Sequence, residues 1–414
     1  MAIPSLAMIP SGYKDGKVYS VLPSNGDGDF TFSRGSSATR VNQDGLIEEI
    51  TDQDTPRLDY SDGSCPSLLL EPQSTNLLPY SEDFSNIDWN LDDATIVGNN
   101  TISPNGTQNA VLLKGNTNSS RHSIIKSYSQ QNANTSFSVF VKAKELRYVQ
   151  IASANDVNQY VNFDVSIGIV GTVGSTFSNA KIEAIGSDGW YRLSVVATRS
   201  NGLYISLVSG LTASWLESWT MSNNTDGLYI WGAQYEIGSY ATSYIPTNGA
   251  VATRLADECV NTSAGSVIGQ TEGTMYTEYY FDATIDNNGG ADRDIISIAA
   301  DSSNNINIVH YGNGSSSYNK KVYLYALVGG SYVVTISSPT QSSGLMKVAC
   351  GDKNNDYVLY VNGIQIGTDT SASVPTCSIV TLGKNPINTP TPINETKLYN
   401  TRLSNSELQE LTTI

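Results

Sequence analysis

Apolar and polar residues alternate in short runs along almost the whole chain. In the middle these runs are SFSVFVKA (136–143), YVQIAS (148–153), YVNFDV (160–165), WYRLSVVAT (190–198) and LYISLV (203–208). Towards the end they are TMYTEYYF (274–281), DIISIA (294–299), KVYLYALV (321–328), YVVTIS (332–337), MKVACG (346–351), YVLYVNGIQIG (357–367) and SIVTLGK (378–384). A period of two in Val, Ile, Tyr, Thr and Phe predicts strands with one covered face. Turn dipeptides separate them, among them Asp44-Gly45, Asn105-Gly106, Asp188-Gly189 and Asn362-Gly363. Only the end, LSNSELQEL (403–411), is helical, with Ser404 and Glu407 spaced as a capping box and Leu403, Leu408 and Leu411 facing inward. The pattern predicts an all-β protein of tandem sandwiches.

Three parts follow. Residues 1–75 hold FTFSR (30–34), ATRV (38–41) and LIEEI (46–50), the last two expected as a hairpin around Asn42-Gln43-Asp44-Gly45. The segment is too rich in Gly, Asp and Pro for a private core, so it is expected to lean on a neighbour or a sister chain. Residues 76–247 form a first sandwich, closed by GLYIWGAQYEIGSYATSYIPT (227–247), in which both strand faces are apolar and Pro246 marks the exit. Residues 251–414 form the second sandwich.

Composition narrows the partners. Charged residues make up 15% of the 414, with 23 Lys and Arg against 39 Asp and Glu, a net charge of −16. Without a basic cluster, nucleic acid is not an expected partner. No run reaches the length of a membrane span, and the start, MAIPSLAMIPSGYKDG, lacks the basic region of a secretory signal, so synthesis in a cytoplasm is expected. Tyrosines number 24 of the 37 aromatics (8 Phe, 5 Trp), and with Ser, Gly and Asn they make the palette of an adaptable binding surface. Cys65, Cys259, Cys350 and Cys377 have no metal-type spacing; a Cys350–Cys377 bridge fits within the last part, but free thiols are the expectation.

The motifs also carry a resemblance. YVLYVNGIQIGTD, SIVTLGKN and INETKLYNTRLSNSELQEL resemble the laminin-G/concanavalin A-like lectin domain. NLLPYSEDFSNIDW, DGWYRLSV and LYIWGAQYEIGSYATSYIPT resemble a carbohydrate-binding-module-like jelly roll of bacteriophage virion proteins. IPSGYKDGKVYSVLP, DFTFSRGSSATRVNQDGLIEE and PSLLLEPQSTNLL look like the leader that precedes it in phage tail- and head-fibre proteins. The resemblance implies a virion fibre or appendage, released by host lysis, that binds bacterial surface polysaccharide. It would join other virion proteins through residues 1–75 and form a homo-oligomer, a trimer by analogy with fibres. A structural decoration or adaptor protein is the alternative, and a polysaccharide depolymerase a third reading.

Candidate chemistry fits binding better than catalysis. The two histidines, His122 and His310, are expected to be structural or on the surface, and no G-x-S-x-G motif is present. Glucanases of the concanavalin A-like fold carry Glu-x-Asp-x-x-Glu on one strand, and no glutamate here has Asp two residues on. No enzyme is therefore expected. For sugar, Tyr148, Gln150, Tyr160 and Asn162 are predicted to share an outward face of neighbouring strands, as are Tyr323 and Tyr325; solvated or subunit-facing tyrosines are the competing reading. Trp190 and Trp231 read as core. Both resembled families often hold Ca²⁺ in Asp/Asn-rich loops, which makes Asp286, Asp292 and Asp294, and secondarily Glu82 or Asp83, the metal candidates, against a plain Asn/Asp loop.

Overall fold

The computed structural model describes residues 2–128, 131, 133–154, 156–198, 200–285, 294–314, 317–384 and 390–414. Their regular structure is nearly all β-strand, in two compact units. One unit is continuous apart from a small piece: residues 38–49 and 74–254. The other joins the two ends of the chain: residues 1–37, 50–73 and 255–414.

The middle unit is a jelly-roll-type sandwich of two six-stranded antiparallel sheets. The first runs in the order Asn90–Asp92, His122–Ser127, Gly202–Leu207, Tyr148–Ser153, Tyr160–Asp164 and Ile169–Val173. The second runs Ala94–Thr101, Ala110–Gly115, Gly227–Ile237, Asn134–Ala143, Trp190–Thr198 and Phe177–Ile185. Alternate residues of both close one core, including Val139, Val141, Val149, Ile151, Val161, Phe163, Leu193 and Ile230.

The strand Gly227–Ile237 changes face part-way. Gly232 has φ of +60°, a conformation L side chains rarely adopt, and the pairing with Asn134–Ala143 shifts register there. Leu228 and Ile230 face the main core before the bulge, Ala233 and Tyr235 after it. Trp231, Gln234 and Glu236 therefore share the other face. Gln234 and Glu236 fasten the exit segment back onto this strand. Gln234 accepts from the Ile245 amide at 2.6 Å, and Glu236 accepts from the Thr242 amide at 3.0 Å and Ser74 Oγ at 2.6 Å.

The 38–49 hairpin is anchored to this same unit. Its tip glycine, Gly45, abuts Gly186 so closely that a Cβ on Gly45 would lie 2.8 Å from the Gly186 Cα. Ile47 packs into a satellite cluster with Ala110, Phe140, Trp190, Trp231 and Tyr244.

The unit built from the chain ends is a larger sandwich. One sheet has eight strands, with Leu6–Met8, Leu58–Asp59 and Ser67–Leu70 on the Thr391–Tyr399 side. The other has nine, in which Phe30–Ser33 pairs with Glu258–Asn261. Leu6, Met8, Val18, Phe30, Phe32, Leu68 and Leu70 are buried in the common core. Residues 1–75, expected as a leader leaning on a neighbour, are thus distributed: most complete this sandwich, and the hairpin joins the other. The capping box forms as expected, with the Glu407 amide donating to Ser404 Oγ, and the helix Asn405–Thr412 packs through Leu408 and Leu411 against Tyr276, Val358 and Tyr360. All four cysteines are free thiols, and only Cys65 is exposed.

Four buried charges lie where the N-terminal strands enter this sandwich. Arg57 Nη1 is 2.7 Å from Glu71 Oε2, its other terminal nitrogen bonds Asp257, and Arg34 Nη1 is 3.1 Å from Asp257 Oδ1. The Glu71 amide donates to Asp257 Oδ2 at 2.8 Å. Burial works against the Arg57 charge, but Asp257 and Glu71 outweigh it and raise its pKa. Asp257→Ala, which would leave two guanidinium groups buried with one carboxylate, is expected to lower the stability of this sandwich by ~3–5 kcal/mol in urea denaturation. Lys353→Ala, which removes the exposed pair with Glu272 at 3.4 Å, is expected to change it by less than about 1 kcal/mol.

Asp352 is buried in the same sandwich, and its Oδ2 has no hydrogen bond. Burial first, then the charge of Glu272, pushes its carboxyl up from 3.8 to about 7, with Arg402 opposing. A pKa raised on folding favours the protonated folded state. The associated stability is fully present below pH 3.8 and is lost as pH rises through about 7. Asp352→Asn is therefore expected to match the parent protein in acid and to exceed its thermal midpoint progressively between pH 5 and 8. Parallel melting curves across that range would refute the assignment.

Candidate functional site

The face predicted around Tyr148, Gln150, Tyr160 and Asn162 is covered. These residues do lie on adjacent strands, with Gln150 opposite Asn162 and Ala152 opposite Tyr160. Gln150 and Asn162, however, are fully buried. Gln150 Nε2 donates to Asn162 Oδ1 at 2.7 Å and to the Ser214 carbonyl at 2.9 Å, while its Oε1 accepts from the Leu216 amide at 2.8 Å. Asn162 Nδ2 donates to the carbonyls of Leu211 and Ala213. Both amides pin the loop that follows Leu207 across the sheet and present nothing to solvent. Tyr148 and Tyr160 are half-buried at the margin, with the Arg147 guanidinium 4.7 Å from the centre of the Tyr148 ring.

Tyr323 and Tyr325 fare differently. The inner face of their strand, with Val322, Leu324 and Ala326, belongs to the sandwich core. On the outer face the two phenol rings stack 5.2 Å apart with 14° between planes. Two rings the sequence did not single out extend the row. Tyr318 lies 5.4 Å from Tyr323, and Tyr332 lies 5.3 Å from Tyr325. The ends are open, Tyr332 at 66% and Tyr318 at 41% exposure, while Tyr323 is buried and Tyr325 half-buried. Tyr311 stacks on Tyr318, and its hydroxyl is 3.4 Å from that of Tyr325. Strand register sets polar groups beside the rings: Ser297, Asn307, Tyr325 and Thr335 are successive cross-strand partners. The result is an aromatic ledge, open at its two ends and bordered by hydroxyls and an amide.

A third place was singled out in the sequence only through Glu82 and Asp83, as secondary metal candidates, and not as a cleft. In the middle unit, cavities of about 300 Å³ and 640 Å³ share Glu49, Glu82 and Pro246. Trp231, Tyr244 and the 38–49 hairpin line the smaller one. Glu82 accepts from Tyr244 Oη at 3.0 Å and from Asn109 Nδ2 at 3.0 Å. Burial raises its pKa, the charge of Glu49 adds to this, and the hydrogen bonds oppose it. Trp231 is core, as its sequence context suggested, yet it also lines this cavity. The wall and floor come from five stretches distant in sequence, so only the pairing of the hairpin with the jelly roll brings them together.

For the metal candidates, Asp286 and Asp292 lie outside the described residues. Asp294 opens a strand of the nine-stranded sheet and is buried. Asp83 bonds Ser85 in a local turn. Among the described residues no three His, Cys, Asp or Glu side chains gather as a metal-ion site. Both histidines are buried within hydrogen-bonded packing: His122 lies between the carbonyls of Asp93 and Trp219, and His310 bonds the Tyr279 hydroxyl and stacks on Phe281.

No family model and no curated protein matches the chain. Among solved structures, it is similar to the CBM40 of the Ruminococcus gnavus IT-sialidase, with 21% identity and a TM-score of 0.29 over 36% of this chain and 86% of that one. Domain 4 of AbnA, a GH43 extracellular arabinanase from Geobacillus stearothermophilus, in complex with arabinotriose, gives 14% identity and 0.30 over 42% and 82%. Domains LG4-5 of the mouse laminin alpha1 chain give 13% and 0.22 over 69% and 85%. At such scores these likenesses carry no argument about what this chain binds.

Proposed function

We propose that this chain is a non-enzymatic glycan-binding protein that engages polysaccharide through the tyrosine ledge of Tyr318, Tyr323, Tyr325 and Tyr332. The observation that carries the reading is the uninterrupted ring row beside Asn307 and Thr335. A sugar offers C–H faces ringed by hydroxyls, so the open rings of Tyr318 and Tyr332 at the two ends of the row, with hydrogen-bonding side chains between them, meet both parts of it. Ring-to-ring steps of this kind suit successive residues of an extended chain better than one enclosed monosaccharide. The motif resemblance supports the finer reading of a bacteriophage virion appendage that adsorbs to host surface polysaccharide. As a trimer it would multiply weak individual contacts by effective concentration.

A glycan array of bacterial capsular and cell-wall polysaccharides, followed by titration of the best ligand, tests this. Tyr325→Ala with Tyr332→Ala is expected to weaken binding at least tenfold while leaving the thermal midpoint of the middle unit unchanged. Full binding by the double variant would remove the ledge from the reading. Silence across the array would favour a purely structural adaptor, and release of reducing ends would establish a depolymerase. Light scattering of the full chain is expected to give three copies, and a stable monomer would refute the oligomer.

A further inference from the structure

His122 is fully buried, and both of its ring nitrogens face acceptors. Nδ1 lies 2.9 Å from the Asp93 carbonyl oxygen, and Nε2 lies 3.2 Å from that of Trp219. A carbonyl oxygen has no proton to give, and a neutral imidazole has a single N–H. The two bonds therefore exist together only in the imidazolium. In the neutral ring one nitrogen turns a lone pair toward a carbonyl lone pair, with no water to relieve it. The longer contact, to Trp219, is the one that gives way.

Trp219 belongs to a strap, residues 208–221, that leaves the strand Gly202–Leu207 and covers the polar face of Gln150 and Asn162. Those two amides hold the middle of the strap. The return leg rests on an isolated bridge, the Trp219 amide donating to the Ser120 carbonyl at 3.0 Å and the Ser120 amide donating back at 3.3 Å. It rests also on His122, whose ring meets the Trp219 indole edge to face at 5.8 Å. Backbone strain in the same strap is a separate observation. Leu216 has φ of +44°, where bulky side chains rarely sit, and the bond from its amide to Gln150 Oε1 keeps it there.

The charged groups on the elements packed around the ring are Asp92 and Asp93, Arg121 and Lys126 on its own strand, Lys114 beside Gly115, and Glu217 on the strap. Arg121 pairs with Asp92 at 2.8 Å, Lys126 with Asp88 at 2.9 Å, and Glu217 accepts from the amide and hydroxyl of Ser209. Asp93 answers His122. Hydrogen bonds from Asn116, Ser120 and Asn118 hold its carboxyl down at about 2, and the histidine charge adds to this. It therefore stays ionised throughout the range in which histidines change charge.

We infer that residues 208–221 form a pH-responsive strap, latched by the His122 imidazolium in acid and loosened at Trp219 as the ring loses its proton. The latched strap holds the proton more tightly than the loosened one, so acid favours closure and rising pH favours release.

Nitrogen-15 imidazole NMR of the full chain tests the latch directly, with the His122→Gln spectrum assigning the resonances. Both ring nitrogens of His122 are expected to carry protons at pH 5, and Nδ1 alone at pH 8. Hydrogen exchange reads the strap. After correction for intrinsic rates, the Trp219 and Ser120 amides are expected to exchange at least fivefold faster at pH 8 than at pH 5. In His122→Gln, which has no charge to lose, that ratio is expected to fall to one. A single N–H on His122 at both pH values would overturn the inference even if the variant failed to fold. Equal protection of Trp219 at the two pH values, or a folded variant that keeps the parent ratio, would overturn it as well.

Discussion

Arg57, held between Glu71 and Asp257, is the contact on which the sandwich built from the chain ends depends. It joins residue 57 to a carboxylate 200 positions later, and Arg34 closes on the same carboxylate from a third stretch. The strands around it could not stand alone. Leu6–Met8, Phe30–Ser33 and Ser67–Leu70 are three or four residues long and reach burial only as additions to sheets made by the last third of the chain. Desolvating four charges is expensive, and their worth lies in geometry as well as energy: a displaced register would leave one of them unpaired in an apolar interior. Hydrophobic burial gives this sandwich its stability; the ion cluster specifies which N-terminal residues share in it.

Much of this was legible in the chain. Alternation placed the strands, Asn42 to Gly45 and Asn362-Gly363 placed their hairpins, and Ser404 with Glu407 placed the helix, because each is decided by neighbours in sequence. Gln150 and Asn162 show the limit. Period-two reading correctly set them on the face opposite the core, but which segment then covers that face is a long-range fact. Tyr323 and Tyr325 were legible for the same local reason, whereas Tyr318 and Tyr332 join the row only through folding of the sheet. The Glu82 cleft shows the limit most clearly. One wall is a hairpin whose sequence reads as part of a leader, and its floor is a tryptophan whose sequence reads as core.

The discontinuous sandwich has a consequence for how the molecule comes into being. Residues 74–254 interrupt it, and the interruption begins and ends on one antiparallel ribbon, Ser74–Asn76 against Ala252–Arg254. During synthesis all of the middle unit, its hairpin wall included, has been made before Asp257. Its folding draws positions 74 and 254 together and shortens the effective loop that the flanking segments must close. Until the ribosome delivers the last third, Leu6, Phe30, Phe32 and Leu70 have no sheet to enter, at an elongation rate of roughly 5–20 residues per second. The nascent chain therefore carries its own N-terminal strands as exposed, aggregation-prone edges for many seconds, and only the arrival of the C-terminal strands retires them.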